Sequence, residues 1–163
     1  MSNNPGSRNP TATDRLRWSA VRESAGAYYR ANPLDRIAII RGRVPAAYVV
    51  ALTQSMQIPK ERLYSILDLA RATIDRKIQK RQRLSQEESE RILAVVRLIG
   101  QADTMVQESG DPTGFDAPRW TAEWLQGPHP ALGGRTPGEL LDTADGRALV
   151  SDLLARQQSG AYA

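Results

Sequence analysis

The chain contains no cysteine, one histidine and one phenylalanine among 163 residues. Without cysteine there is neither a disulfide framework nor a thiolate metal site, and a lone histidine leaves most zinc sites short of nitrogen ligands. No uninterrupted apolar run approaches the roughly 18 residues that suggest a membrane span, and no signal-peptide pattern opens the chain. A cytoplasmic protein without membrane contact is therefore expected. Also missing are a nucleophile motif, a phosphate-cradling glycine loop and any His or carboxylate cluster at metal-ligand spacing. An enzyme is the poorest reading, so no catalytic residue, metal, cofactor or small-molecule substrate is expected. No internal repeat and no strand-like alternation is visible, which leaves an all-α fold.

With 40% hydrophobic and 25% charged residues, the composition is that of a soluble globular protein of one ordinary domain or two small ones. The net charge of +4 conceals a division. Residues 1–83 carry sixteen Lys and Arg against six Asp and Glu, whereas residues 84–163 carry six against twelve. The front half attracts polyanions and the back half repels them, which fits two different partners as well as it fits solvated charges that happen to cluster.

Proline and glycine punctuate the chain. Met1 to Thr13, rich in Asn, Ser, Pro and Gly, buries too little apolar surface to offset its chain entropy and is expected to be disordered. Arg15 to Tyr29 is weakly helical, with Leu16, Trp18, Val21, Tyr28 and Tyr29 as packing anchors, and Asn32-Pro33 ends it. Leu34 to Arg41 is a short apolar-basic segment. Val44-Pro45 opens a helix reaching about Gln54, and Pro59 opens another with Leu63, Ile66 and Leu67 on its buried side. Asp68-Leu69-Ala70 breaks that helix before Arg71 to Arg81 resumes helical spacing, a helix-turn-helix outline. Ser85-Gln86-Glu87-Glu88 is a capping box. Ile92, Val95, Val96 and Ile99 then recur on one face, and Leu93 and Leu98 widen the stripe beyond what one small domain needs; a dimer seam and a core helix explain this excess equally well.

Gly110 to Pro118 reads as a linker, and Arg119 to Leu125 as a short helix with Trp120 and Trp124 one turn apart. Leu132-Gly133-Gly134-Arg135 is a tight turn, after which Thr136 serves as N-cap and Pro137 as first helical residue. A last helix runs from Asp142-Thr143 to about Gly160. It gathers Leu149, Val150, Leu153 and Leu154 on one side, while Arg147, Asp152 and Arg156 fall elsewhere. His129, between Pro128 and Pro130, reads as a loop residue. The chain thus divides into an extension (1–33), a helix-turn-helix segment (34–109) and a C-terminal helical domain (110–163).

In a recognition helix over Arg71 to Arg81, a rotation of about 100° per residue sends Ile74 and Ile78 inward and Thr73, Arg76, Gln79 and Lys80 outward. Residues 71–83 hold six cations and one anion, Asp75, a surface suited to displacing counterions from phosphate, or else simply a solvated face. Thr73 and Arg76, near the helix start, are the base-edge candidates; Lys77, Lys80 and Arg81 are the phosphate candidates, with Arg71 in the same basic set.

The stretch Pro130-Ala-Leu-Gly-Gly-Arg-Thr-Pro, Leu140-Leu-Asp-Thr, Gly146-Arg, Leu149-Val and the closing Gly160-Ala-Tyr-Ala resembles the C-terminal domain of the MbcA/ParS/Xre antitoxins. Leu63 to Lys77, Ile37-Ala-Ile-Ile-Arg, Pro45-Ala and Leu84-Ser with Glu87-Glu-Ser resemble the family's helix-turn-helix domain. Two departures stand out: Asp68 replaces the usual turn glycine, and Ala70 replaces the usual capping serine. The resemblance implies an antitoxin with an Xre-like DNA-binding and dimerisation domain, a homodimer that binds its own operator. It implies that the C-terminal domain binds a RES-domain toxin, an NAD-consuming enzyme, with the tail Ser159, Gly160, Ala161, Tyr162 and Ala163 entering the NAD pocket. Tyr162 would stack there, and the Ala163 carboxylate with Asp142, Asp145 and Asp152 would imitate nucleotide charge. Arg147 and Arg156, on exposed helix positions, are weaker contact candidates. The alternative is a stand-alone helix-turn-helix regulator whose C-terminal domain binds another protein or ligand.

Overall fold

A computed structural model of the chain describes residues 16–158; the expected disordered leader and the tail from Ser159 onward lie outside the described residues. The fold is all-α, as expected. Its helices are α1 (Val21–Arg30), α2 (Pro33–Gly42), α3 (Ala47–Met56), α4 (Lys60–Leu67), α5 (Arg71–Gln79), α6 (Gln86–Ser109), α7 (Ala117–Gln126) and α8 (Ala144–Gln158), with 3₁₀ turns at Pro130–Leu132 and Pro137–Leu140. Among the described residues the sole β feature is an isolated bridge between Pro45 and Arg83. No described helix is long and apolar enough to cross a membrane.

Local chemistry sets most of these boundaries. Asn32 does more than end α1: its side chain accepts the Asp35 amide at 2.9 Å, and Pro33 follows at the first helical position, so the apolar-basic segment is a capped helix. The Ser85 capping box is fully formed, with the Ser85 hydroxyl on the Glu88 amide at 3.0 Å and the Glu88 carboxylate on the Ser85 amide at 2.7 Å.

The long α6 is the axis of the molecule, flanked by α1, α2, α7 and α8. Ile92, Leu93, Val95, Val96, Leu98 and Ile99 are all buried. The wide apolar stripe is therefore covered by helices of the same chain, and of the two explanations open from sequence the core helix holds and the α6 dimer seam does not. Large apolar side chains left uncovered lie elsewhere, at Leu34 (78% exposed), Ile37 (43%) and Leu149 (47%). Leu149 is thus a correction to the expected face of α8, which buries only Val150, Leu153 and Leu154.

Gly100 makes a close crossing of α1 and α6 possible. A Cβ there would collide with the backbone carbonyl of Ala25 on α1. Across the end of α6, the buried Asp103 accepts Arg22 of α1 at 2.7 Å and Gln107 at 2.8 Å, so a carboxylate withdrawn from water is paired with two side chains that stay exposed. The C-terminal helices do not stand apart: α7 packs on α3 and α6, and the Pro137–Leu140 turn touches α4, α7 and α8. Leu125, Leu141, Val150 and Leu154 join the same apolar cluster as Leu63, Leu67 and Ile92.

Candidate binding surfaces

The helix-turn-helix is built from α4 and α5. Asp68 ends α4 in the left-handed conformation (φ 51°, ψ 51°), and Ala70 precedes α5 without a side-chain cap, so both departures from the family pattern leave the turn intact. It is held from outside. The Arg91 guanidinium of α6 donates to the Leu67 carbonyl at 3.0 Å and the Asp68 carbonyl at 2.7 Å, and is itself fixed by Glu87 at 2.6 Å. Those carbonyls are the orphan acceptors of a helix end, and Arg91 satisfies two of them. Sequence reasoning missed this residue; its only signal was the Glu87–Arg91 spacing of four on one helix face.

A second knot joins α4 to α5. The Tyr64 hydroxyl donates to Asp75 at 2.8 Å, while Lys60 at 3.3 Å and Arg71 at 3.6 Å flank the same carboxylate. The hydrogen bond from Tyr64, aided by Lys60 and Arg71, holds the Asp75 carboxyl below its ordinary range against a smaller opposing effect of burial. Burial and the Asp75 charge push the Tyr64 hydroxyl up in turn.

On α5 the inward residues are placed as expected: Ile74 is fully buried and Ile78 is partly buried against the core. The six cations, however, separate into two groups. Arg71 is paired with Glu61 at 3.2 Å as well as with Asp75. Lys77 departs from its assignment as a phosphate ligand: its ammonium lies 2.6 Å from Glu88 with only 17% of the side chain exposed, so its charge is neutralised inside the protein. The Arg83 guanidinium binds the Gly42 carbonyl at 3.3 Å and the Arg43 carbonyl at 2.7 Å. Arg76, Lys80 and Arg81 are exposed and, among the described residues, pair with no carboxylate. Thr73 is half-buried beside them.

At the other end of the molecule, Gly133 (φ 64°) and Gly134 (φ 85°) supply the left-handed backbone of the expected tight turn, closed by His129 N–H to the Arg135 carbonyl at 2.9 Å and Gly134 N–H to the His129 carbonyl at 3.1 Å. The His129 ring nitrogen Nδ1 accepts the Ala131 amide at 3.2 Å, a turn-closing role. Glu139 reaches back to the Thr136 amide at 2.6 Å and starts the next turn. Trp120 and Trp124 stack with ring centroids 6.0 Å apart, and Trp124 Nε1 donates to Gln157 near the end of α8 at 3.1 Å. Gln101 and Ser151 exchange further hydrogen bonds between α6 and α8. These contacts anchor α8 to α6 and α7. Arg147 corrects expectation: it is half-buried, and it donates to the Leu141 carbonyl at 3.1 Å. Arg156 is exposed, as are Asp142, Asp145 and Asp152. Ser159, Gly160, Ala161, Tyr162 and Ala163 lie outside the described residues.

The comparisons fall on the same two regions. The family model for the antitoxin Xre-like helix-turn-helix domain matches residues 35–97, which span α4, its turn, α5 and the start of α6. That for the antitoxin Xre/MbcA/ParS C-terminal toxin-binding domain matches residues 113–160. Among curated proteins, the chain is 45% identical over 137 residues to a "Prs ADP-ribosylating antitoxin" of Sphingobium sp. (strain YBL2), covering 84% of this chain and 86% of that protein. It is 27% identical over 134 residues to "Antitoxin Xre" of Yersinia enterocolitica, covering 80% and 85%. With a helix-turn-helix whose outer face carries unpaired cations, a second helical unit anchored around α8, and a match of both units to the same kind of protein, this chain belongs to the Xre/MbcA/ParS family of antitoxins.

Proposed function

We propose that this antitoxin neutralises a cognate RES-domain toxin, an NAD-consuming enzyme, by placing the tail Ser159 to Ala163 in the toxin's active site, and that it binds its own operator through α5. The observation that carries the reading is the pairing of both antitoxin domains in one chain, together with 45% identity to a relative whose name couples antitoxin to ADP-ribosylation. ADP-ribosylation consumes NAD, which is the chemistry proposed for the toxin. The anchored α8 supports the tail's role, because a helix fixed by Trp124 and Gln101 presents a short segment to a cleft at lower entropic cost than a loose one would.

On the DNA side, Arg76 with Thr73 reads base edges, and Lys80 and Arg81 grip phosphate. Arg71 stands at the rim, shared with Glu61 and Asp75. Lys77 serves the fold, and Arg156 remains a toxin-contact candidate.

Co-expression tests both halves. The product of the adjacent gene should arrest growth, be rescued by this chain and co-purify with it; a chain ending at Gln158 should lose rescue and keep DNA binding. Arg76→Ala with Lys80→Ala should do the reverse, lowering the log–log salt slope of operator binding by about 0.9 per lost phosphate contact. A stand-alone regulator would be indifferent to the truncation, and its neighbour's product would be harmless.

A further inference from the structure

The loop between α2 and α3 and the loop after α5 are stitched together. The Ala46 amide donates to the Gln82 carbonyl at 2.9 Å and the Leu84 amide to the Val44 carbonyl at 2.8 Å, around the bridge between Pro45 and Arg83. Arg83 closes the junction through its bonds to the Gly42 and Arg43 carbonyls, and the buried Ser89 hydroxyl accepts the Val44 amide at 2.9 Å. The stitched element is rigid. It carries two arginines with positive φ, Arg43 (φ 62°, ψ 138°) and Arg81 (φ 53°). An L-residue side chain is strained at such angles, and at the ψ of Arg43 glycine is strongly preferred.

Both arginines are exposed, as is Arg41, and among the described residues none of the three pairs with a carboxylate. No acidic residue lies in residues 36–60 or 76–86, so both segments carry charge of one sign. Its charge continues directly from the outward end of α5, where Lys80 is the C-cap and Arg81 the next residue. The junction's own hydrogen bonds hold this strained backbone, yet among the described residues the guanidinium groups it presents meet no carboxylate. A polyanion running past the end of α5 supplies the missing anion.

We propose that Arg43, with Arg41 beside it, joins Arg81 in a phosphate-binding ridge that grips the DNA backbone beyond the recognition helix and adds affinity without reading sequence. The inference rests on α5 being the DNA-reading helix and extends its footprint to a loop outside the helix-turn-helix. Because the ridge touches phosphate only, it should act equally on any duplex. Each contact should add about 0.9 to the salt slope, which amounts to about eightfold in affinity at about 0.1 M salt if the contact is worth nothing at 1 M.

Glycine is the informative substitution, since it deletes the side chain and relieves the strain at once. The full chain, Arg43→Gly, Arg81→Gly and the double variant would be titrated with a duplex from upstream of its own gene and with a random duplex of equal length, between 50 and 300 mM salt. The expected result is a slope lower by about 0.9 per arginine removed, so about 1.8 in the double variant, with equal loss on both duplexes, unchanged toxin neutralisation, and a melting temperature that does not fall. An unchanged slope for Arg43→Gly, with Arg81→Gly and Arg76→Ala still weakening binding, would overturn the ridge alone. Loss of neutralisation with DNA binding intact would overturn it too, assigning these arginines to the toxin. A wild-type chain that binds neither duplex would remove the DNA reading together with the ridge.

Discussion

The Lys77–Glu88 pair separates a structural cation from a DNA ligand, and Lys77→Met tests the distinction. Methionine keeps most of the packed methylene stem and removes only the charge. The pair is 2.6 Å long, with 17% and 18% of the two side chains exposed. Exposed pairs contribute about 0–1 kcal/mol and fully buried ones cost about 3–5 kcal/mol when one partner is removed. A pair mostly withdrawn from water lies between, so the loss should be about 2 kcal/mol, roughly 4–8 °C in a chain of this size. The pH dependence follows from Glu88. Burial raises its carboxyl, but Lys77 and the Ser85 amide outweigh that and hold it below its ordinary 4.5. The folded value being the lower one, this stability is fully present above about pH 4.5 and is lost as pH falls through the folded value. Thermal unfolding should therefore show a constant gap between wild type and variant at pH 6–8 that narrows below about 4.5. Salt titration of DNA binding should give the same slope for both. A slope lowered by about 0.9 with no change in melting temperature would refute the reasoning and return Lys77 to the phosphate contacts.

Two further substitutions test the packing. Among the described residues the buried Thr121 hydroxyl has no hydrogen-bond partner, so Thr121→Val, nearly isosteric, should raise stability by up to about 1 kcal/mol, read as a higher denaturant midpoint at unchanged slope; a loss above about 1 kcal/mol would mean that the hydroxyl is satisfied in solution. Gly100→Ala should cost about 3 kcal/mol, the upper end for overpacking, because the new methyl meets backbone rather than a movable side chain, and increased amide exchange in α1 would show which helix gives way. Near-wild-type stability there would contradict the close α1–α6 crossing.

What was legible in the sequence was local. The Ser85 capping box, the Gly133-Gly134 turn with Thr136 and Pro137, the α4–α5 break and the inward side of α5 are each written within a few neighbouring residues, and the structure places them as read. Longer-range facts were not legible. Period alone cannot say what covers a stripe, so α6 read equally as seam or core until α1, α2, α7 and α8 were seen around it. Charge counting treats Lys77 and Lys80 alike, although a partner eleven residues away neutralises the first. The same blindness made Arg147 an exposed contact when it holds the Leu141 carbonyl, and hid Arg91, whose acceptors are 23 and 24 residues distant. Leu149 shows the opposite error, a residue of core type that its helix turns to solvent. Nothing local marked Arg43, because arginine is an uncommon choice for its backbone angles.

The central claim is that the carboxyl end silences an NAD-consuming partner. The toxin, co-purified with the full chain or with a chain ending at Gln158, can be assayed directly for NAD consumption. We predict that both chains hold the toxin, that the full complex is inactive, and that the truncated complex consumes NAD. A truncated complex that stays intact and equally inactive would contradict the account.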